Sequence, residues 1–139
     1  QSLEDKQLNL LYNSCDIGLN TGDSEGFGLV SFEHASVGVP QVVGNFAGLG
    51  DLFDDTCSVL VNHSDYHHHD STCDGIGGRG WVLSYKDVAE GIEYYYKNEG
   101  IRRKHSRACI NKFKKYNWGD LSEKLYKIFT ESVGEGQCS

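Results

Sequence analysis

The chain has 139 residues, a formal net charge of -7 and 38% hydrophobic residues. That is one ordinary domain, able to bury a core but small for a complete enzyme. The acidic balance argues against wrapping a nucleic acid, and neither a bilayer-length apolar run nor a signal segment is present.

Ser2 followed by Asp5 resembles a helix-opening box, and Leu8, Leu11, Tyr12 and Cys15 form a helical stripe, which predicts a helix over 3–14. Cys15–Thr21 reads as a short buried strand with Ile17 and Leu19 on one face. After the turn-rich stretch TGDSEGFG, the segment LVSFEHASVG predicts a helix closed near Gly38. Pro40 opens a second strand, QVVGN, followed by a loose glycine loop at 47–50; Leu52 and Phe53 suit a short helix. CSVLV at 57–61 and GWVLS at 80–84 supply a third and a fourth strand. Asp87 is expected to cap a helix with Val88, Ile92, Tyr95 and Tyr96 on one side, ending near Gly100. Ile101, His105, Ala108, Cys109 and Phe113 mark the next helix. Asp120 with Glu123 suggests a last capping box ahead of Leu121, Leu125, Ile128 and Phe129. The tail 134–139 has nothing to bury and is expected to be disordered.

Strands alternating with helices predict an α/β fold, a Rossmann-like parallel sheet with helices on both faces. Ligands of such sheets bind outside the carboxyl ends of the strands, here the loops after Thr21 and Asn45. Few strands are visible, the chain opens at Gln1 and it contains no Met. Residues 1–133 are therefore expected to be one domain, incomplete at its N-terminal side, within a longer polypeptide.

The five cysteines are odd in number with no C-x-x-C pair, which points to reduced thiols and a cytoplasmic protein. Residues 97–115 carry eight Lys or Arg against Glu99 alone, while residues 1–96 carry three against fifteen acidic residues. The basic segment reads first as a solvated helix face, with peripheral contact to an anionic membrane as the alternative. Residues 62–79 read as a polar loop insertion. His63, His67, His68, His69, Asp70, Cys73 and Asp74 are metal-competent types, but consecutive histidines on a loop cannot all face one ion, and no metal site is assigned. The Tyr94–Tyr96 run and Trp118 are read as packing residues, and His34 as a helix-surface residue rather than a ligand contact.

The stretch EGFGLVSFE at 25–33 carries the chemistry. Gly26 and Gly28 let a ligand approach the backbone, and the free amides of the helix start around Gly28, Leu29 and Val30 form an anion site. A helical rise of about 1.5 Å per residue separates Glu25 from Glu33 by roughly 10–12 Å. A diphosphate over the amides would then have one hydroxyl-accepting carboxylate at each end, for a sugar and a ribose. A side chain at Gly28 is expected to block the phosphate while sparing the fold.

YNSCDIGLNTGDSEGFGLVSFEHASVGVPQVVGN resembles the donor-binding half of retaining GT-B glycosyltransferases of family 4, with their Glu-x7-Glu signature. The likeness is weaker through WVLSYKDVAEGI and Tyr116–Trp118. It implies a partial C-terminal domain of a GT-B fold, with a nucleotide-diphosphate sugar as donor substrate and no cofactor or metal. Glu25, the expected catalytic residue, would contact hexose hydroxyls. Gly26, Phe27, Gly28, Leu29 and Val30 would line the sugar and diphosphate, and Glu33 would hold the ribose. GDP-mannose is the preferred donor, and the acceptor, a glycan, lipid or protein, would sit on a domain absent here. The basic residues that meet the diphosphate in the family have no matching segment, and NFAGLGDLF replaces the usual glycine–glycine–acid arrangement. A GT-B epimerase and a non-catalytic nucleotide-sugar binding module are the alternatives.

Overall fold

The computed structural model describes residues 3–69 and 78–134. Three short parallel strands, β1 (Gly18–Asn20), β2 (Gln41–Gly44) and β3 (Ser58–Val61), pair in the order β1-β2-β3. Gly18 stands opposite Gln41, and Gln41 opposite Ser58. Parallel neighbours require crossovers, here α2 (Leu29–Ser36) and α3 (Ala47–Leu52). Helix α1 (Asp5–Asn13) precedes the sheet. After β3 come β4 (His63–His69), β5 (Gly78–Leu83), α4 (Tyr85–Lys97), α5 (Glu99–Phe113) and α6 (Trp118–Gly134).

The central strand explains the two-sided layering. Every residue of β2 is buried, as expected of a strand covered on both faces. Val43 packs with Ala35 of α2, Leu49 and Leu52 of α3, and Cys109 and Phe113 of α5. Val42 packs on the opposite side with Val61 and Tyr95, joined by Val88 and Ile92 of α4. Gly91 lets α4 settle on the sheet, since a Cβ there would stand 2.9 Å from Val42 Cγ1. The α/β architecture with helices on both faces is therefore present.

Several polar groups in and beside this core pair with one another. Tyr95 Oη and His105 Nδ1 lie 2.8 Å apart. Burial pushes the Tyr95 phenol up and the His105 imidazole down in pKa, so the neutral forms of both persist. Lys112 Nζ donates to Asp54 Oδ2 at 2.7 Å, and this bond holds the Asp54 carboxyl well below the usual carboxylate range. Cys109 Sγ donates to the Cys57 carbonyl at 3.1 Å.

Several local expectations change. Leu19 is half exposed, while Gly18 is buried because the Gln41 amide occupies the place a side chain would take. The loop expected at 47–50 is the first part of α3. Ser84, not Asp87, caps α4, its Oγ accepting from the Asp87 N–H at 3.4 Å. Tyr95 is fully buried and Tyr96 is 83% exposed, so only one of the two joins the core. At the head of α6, Asn117 Oδ1 accepts the Asp120 N–H at 2.9 Å in place of an Asp120–Glu123 box. Leu121, Leu125, Ile128 and Phe129, expected to pack, are all exposed, as is Trp118. Helix α1 opens at Glu4, whose N–H donates to Gln7 Oε1 at 3.1 Å; Ser2 lies outside the described residues.

The insertion is the largest departure. Instead of a polar loop, residues 63–69 and 78–83 form an antiparallel hairpin. The His69 side chain, Asp70, Cys73 and Asp74 lie outside the described residues, as do Cys138 and positions 135–139 of the expected tail, while Gly134 closes α6. Among the described residues, Cys15, Cys57 and Cys109 are free thiols, and no cluster of three His, Cys, Asp or Glu is arranged to hold a metal. No described helix is long and apolar enough to cross a membrane.

Candidate functional site

The loop between β1 and α2 is shaped by one asparagine. Asn20 Oδ1 accepts the Gly22 N–H at 2.9 Å, which bends the chain as it leaves the sheet. Its Nδ2 donates to Ser31 Oγ at 3.3 Å and so ties the loop entry to the first turn of α2. Sequence reading passed over Asn20; the signal available was Asn-x-Gly at the end of a strand. At the other end of the loop Gly28 caps α2 with φ 81° and ψ 46°, a left-handed conformation that glycine adopts without strain. No side chain caps this helix, so the amides of its first turn remain open to an anion.

A second loop, 45–46, leads into α3, whose start presses against the first loop. Gly48 N–H donates to the Glu25 carbonyl at 3.2 Å, and a Cβ on Gly48 would collide with the Gly26 carbonyl oxygen. This close approach requires a glycine at 48. Its neighbour Ala47, in the stretch that departs from the family pattern, adopts φ 47°, a region costly for a side chain. The segments singled out at the carboxyl ends of the strands, after Thr21 and after Asn45, are thus in direct contact.

The sequence-derived site residues divide into two groups. Glu25, Gly26, Phe27, Gly28, Leu29 and Val30 follow one another over the loop and the head of α2. Glu25 is half-buried, and its carboxylate makes no hydrogen bond or ion pair among the described residues. A Cβ on Gly26 would meet nothing within 4 Å, whereas one on Gly28 would stand 2.5 Å from Leu49 Cδ2. Gly26 thus borders open space and Gly28 borders the core. The expectation that a side chain at Gly28 would spare the fold is therefore corrected. Phe27, Leu29 and Val30 are exposed, with the Phe27 ring 5.4 Å from that of Phe32.

Glu33 lies in a separate setting. Its Oε2 accepts from Tyr12 Oη at 3.1 Å in a groove of about 300 Å³ between α1 and α2. Burial and the Glu33 carboxylate raise the Tyr12 pKa, so the phenol stays a donor. His34, expected at the surface, is half-buried and stacks on the Tyr12 ring at 4.9 Å. Among the described residues its Nε2 is buried without a hydrogen-bond partner, and burial lowers its pKa.

The hairpin closes the arrangement. Trp81 N–H donates to the Asp23 carbonyl at 2.7 Å, and His67 Nε2 lies 3.2 Å from Asp23 Oδ2. The Trp81 ring lies 4.4 Å from His63 and 6.0 Å from Phe46. By contrast, a concavity of about 440 Å³ lies along α5 between Arg103, Lys104 and Arg107. Its lining offers cations and no carboxylate, and it shares no residue with the loop between β1 and α2.

A parallel sheet with an open helix start at its carboxyl edge, flanked by a glutamate and a glycine contact, is an arrangement suited to an anionic ligand. The model of Family 4 Glycosyltransferase in conflict systems matches residues 2–125, and the chain belongs to that family. Among solved structures, sucrose-phosphate synthase from Thermosynechococcus elongatus superposes with a TM-score of 0.74 at 14% sequence identity. That match covers 97% of this chain and 30% of the synthase, so the chain spans less than a third of the synthase's length. No curated protein matches the sequence.

Proposed function

We propose that this domain binds the nucleotide-diphosphate sugar of a hexosyltransferase that retains anomeric configuration. The observation that carries the reading is the open first turn of α2, bordered by the unpartnered carboxylate of Glu25 and by the space at Gly26. The diphosphate sits over the amides of the α2 start, where the helix dipole favours negative charge. Glu25 accepts hydrogen bonds from hexose hydroxyls. Glu33, oriented by Tyr12, keeps lone pairs free for ribose hydroxyls.

As the diphosphate leaves, its growing charge is held by the helix amides, and basic groups outside this segment add to that stabilisation. No residue here serves as nucleophile or general base. GDP-mannose is the donor to try first, on the strength of the family resemblance alone, and the acceptor binds outside this segment.

The test is transfer from GDP-mannose and other nucleotide sugars to added acceptors by the full-length protein, with the product's anomeric configuration read by NMR. Glu25 lies beside the sugar that gains positive charge, so Glu25→Ala should lower kcat more than it raises KM. Wild type should discriminate against a donor lacking the contacted hydroxyl, and Glu25→Ala should not. Interconversion of free nucleotide sugars without transfer would identify an epimerase instead, and binding with no turnover a non-catalytic module.

A further inference from the structure

We infer that the β4–β5 hairpin is a clamp that fixes the position of Glu25, with Trp81 and His67 as its positioning residues. The inference deepens the reading of the donor site and rests on it for its kinetic half only.

The hairpin reaches both loops of the site. Its backbone is tied to the donor loop by Trp81 N–H on the Asp23 carbonyl at 2.7 Å, two residues before Glu25. The His67 imidazole meets the Asp23 carboxylate at 3.2 Å. On the second loop, the Trp81 indole packs on Phe46, two residues before Gly48, whose amide holds the Glu25 carbonyl. Asn45 secures that loop in turn, donating its N–H to the Val61 carbonyl at 2.8 Å and its Nδ2 to Asn62 Oδ1 at 2.8 Å, where the hairpin begins. His63 packs against Trp81 at 4.4 Å, the rings tilted by 36°, and supports the indole. Glu25 is thus bracketed, through Asp23 on one side and through Phe46 and Gly48 on the other. Among the described residues its own side chain makes no bond that would fix it. A carboxylate that must meet a hydroxyl within a few tenths of an ångström gains its accuracy from such support, because small displacements of a reacting group cost large factors in rate.

The clamp separates from ordinary structural support in two measurements on the full-length protein. The first is amide hydrogen exchange across 23–28, compared between wild type, Trp81→Ala and the milder His67→Ala. Faster exchange there, at least tenfold in Trp81→Ala, with exchange in β2 unchanged, is expected. The second is the ratio of kcat/KM for the normal donor to that for the donor lacking the hydroxyl at Glu25. A variant that only lowers the folded fraction scales both donors equally and leaves the ratio as it was. The clamp predicts a ratio falling toward one in Trp81→Ala and by a smaller factor in His67→Ala. Unchanged exchange at 23–28, or slow turnover at an unaltered ratio in both variants, overturns it. If wild type shows no preference between the two donors, the role of Glu25 is refuted, and the exchange measurement alone decides whether the hairpin holds the loop.

Discussion

Gly28 faces Leu49 so closely that a Cβ on the glycine would stand 2.5 Å from the leucine Cδ2. The glycine that caps α2 is therefore also part of the contact between α2 and α3. Gly28→Val meets two costs, a left-handed backbone of about 1–2 kcal/mol and overpacking of about 1–3 kcal/mol. Chemical denaturation should show a loss of about 2–5 kcal/mol on that basis. A variant as stable as wild type would contradict the packing described.

Gly26 separates ligand binding from folding. It is not left-handed, and its Cβ direction is open. Gly26→Val should leave the melting temperature unchanged and weaken a nucleotide-diphosphate sugar at least tenfold in calorimetric titration. Equal affinity would move the sugar away from this loop.

The contrast between these glycines shows where sequence reading stops. EGFG announced a close approach to the backbone, and the positions of α2, β2 and β3 followed from apolar period and turn residues. Which glycine borders open space and which borders the core depends on α3, a crossover whose glycine-rich sequence looked like a loop. The hairpin was hidden for a related reason. His63–His69 has little apolar alternation, and its strand is fixed by pairing with Gly78–Leu83 and by Trp81 rather than by burial of its own side chains. Asn20 and Tyr12 act through contacts with Ser31 and Glu33, 11 and 21 residues away along the chain, beyond the reach of local pattern. The stripe of α6 was legible as a helix, but its period could not say that nothing among the described residues covers it.

The Tyr12–Glu33 bond yields a graded kinetic expectation. If, as proposed, Glu33 holds the ribose, a part of the donor that does not change during transfer, Glu33→Ala should mainly raise KM. A charged hydrogen bond of about 1.5–3 kcal/mol corresponds to roughly ten- to a hundredfold. Tyr12→Phe removes only the group that orients the carboxylate and should raise KM by a smaller factor, with kcat nearly constant. Steady-state kinetics across donor concentrations distinguishes the two, and a pure kcat effect at Glu33 would reverse its assignment.

His34 gives a pH signature. Burial lowers its folded pKa beneath the unfolded value of about 6.5. Between those two values the unfolded chain binds more protons, so stability falls as the pH drops through this window and levels off below the folded pKa. His34→Phe keeps a ring against Tyr12 and removes the buried Nε2 that has no partner. Its stability relative to wild type should rise as the pH is lowered from 7.5 to 5. Denaturation curves whose difference is independent of pH would place the acid sensitivity elsewhere.

The central claim is that the donor's diphosphate rests on the head of α2. The most direct measurement is a nitrogen-15 NMR titration of the full-length protein with GDP-mannose, alongside the nucleoside without its phosphates. The account predicts saturable shifts of the Phe27, Gly28, Leu29, Val30 and Ser31 amides with the diphosphate sugar and none with the nucleoside. Shifts confined to Arg103, Lys104 and Arg107 on α5, with the α2 amides unmoved, would contradict it.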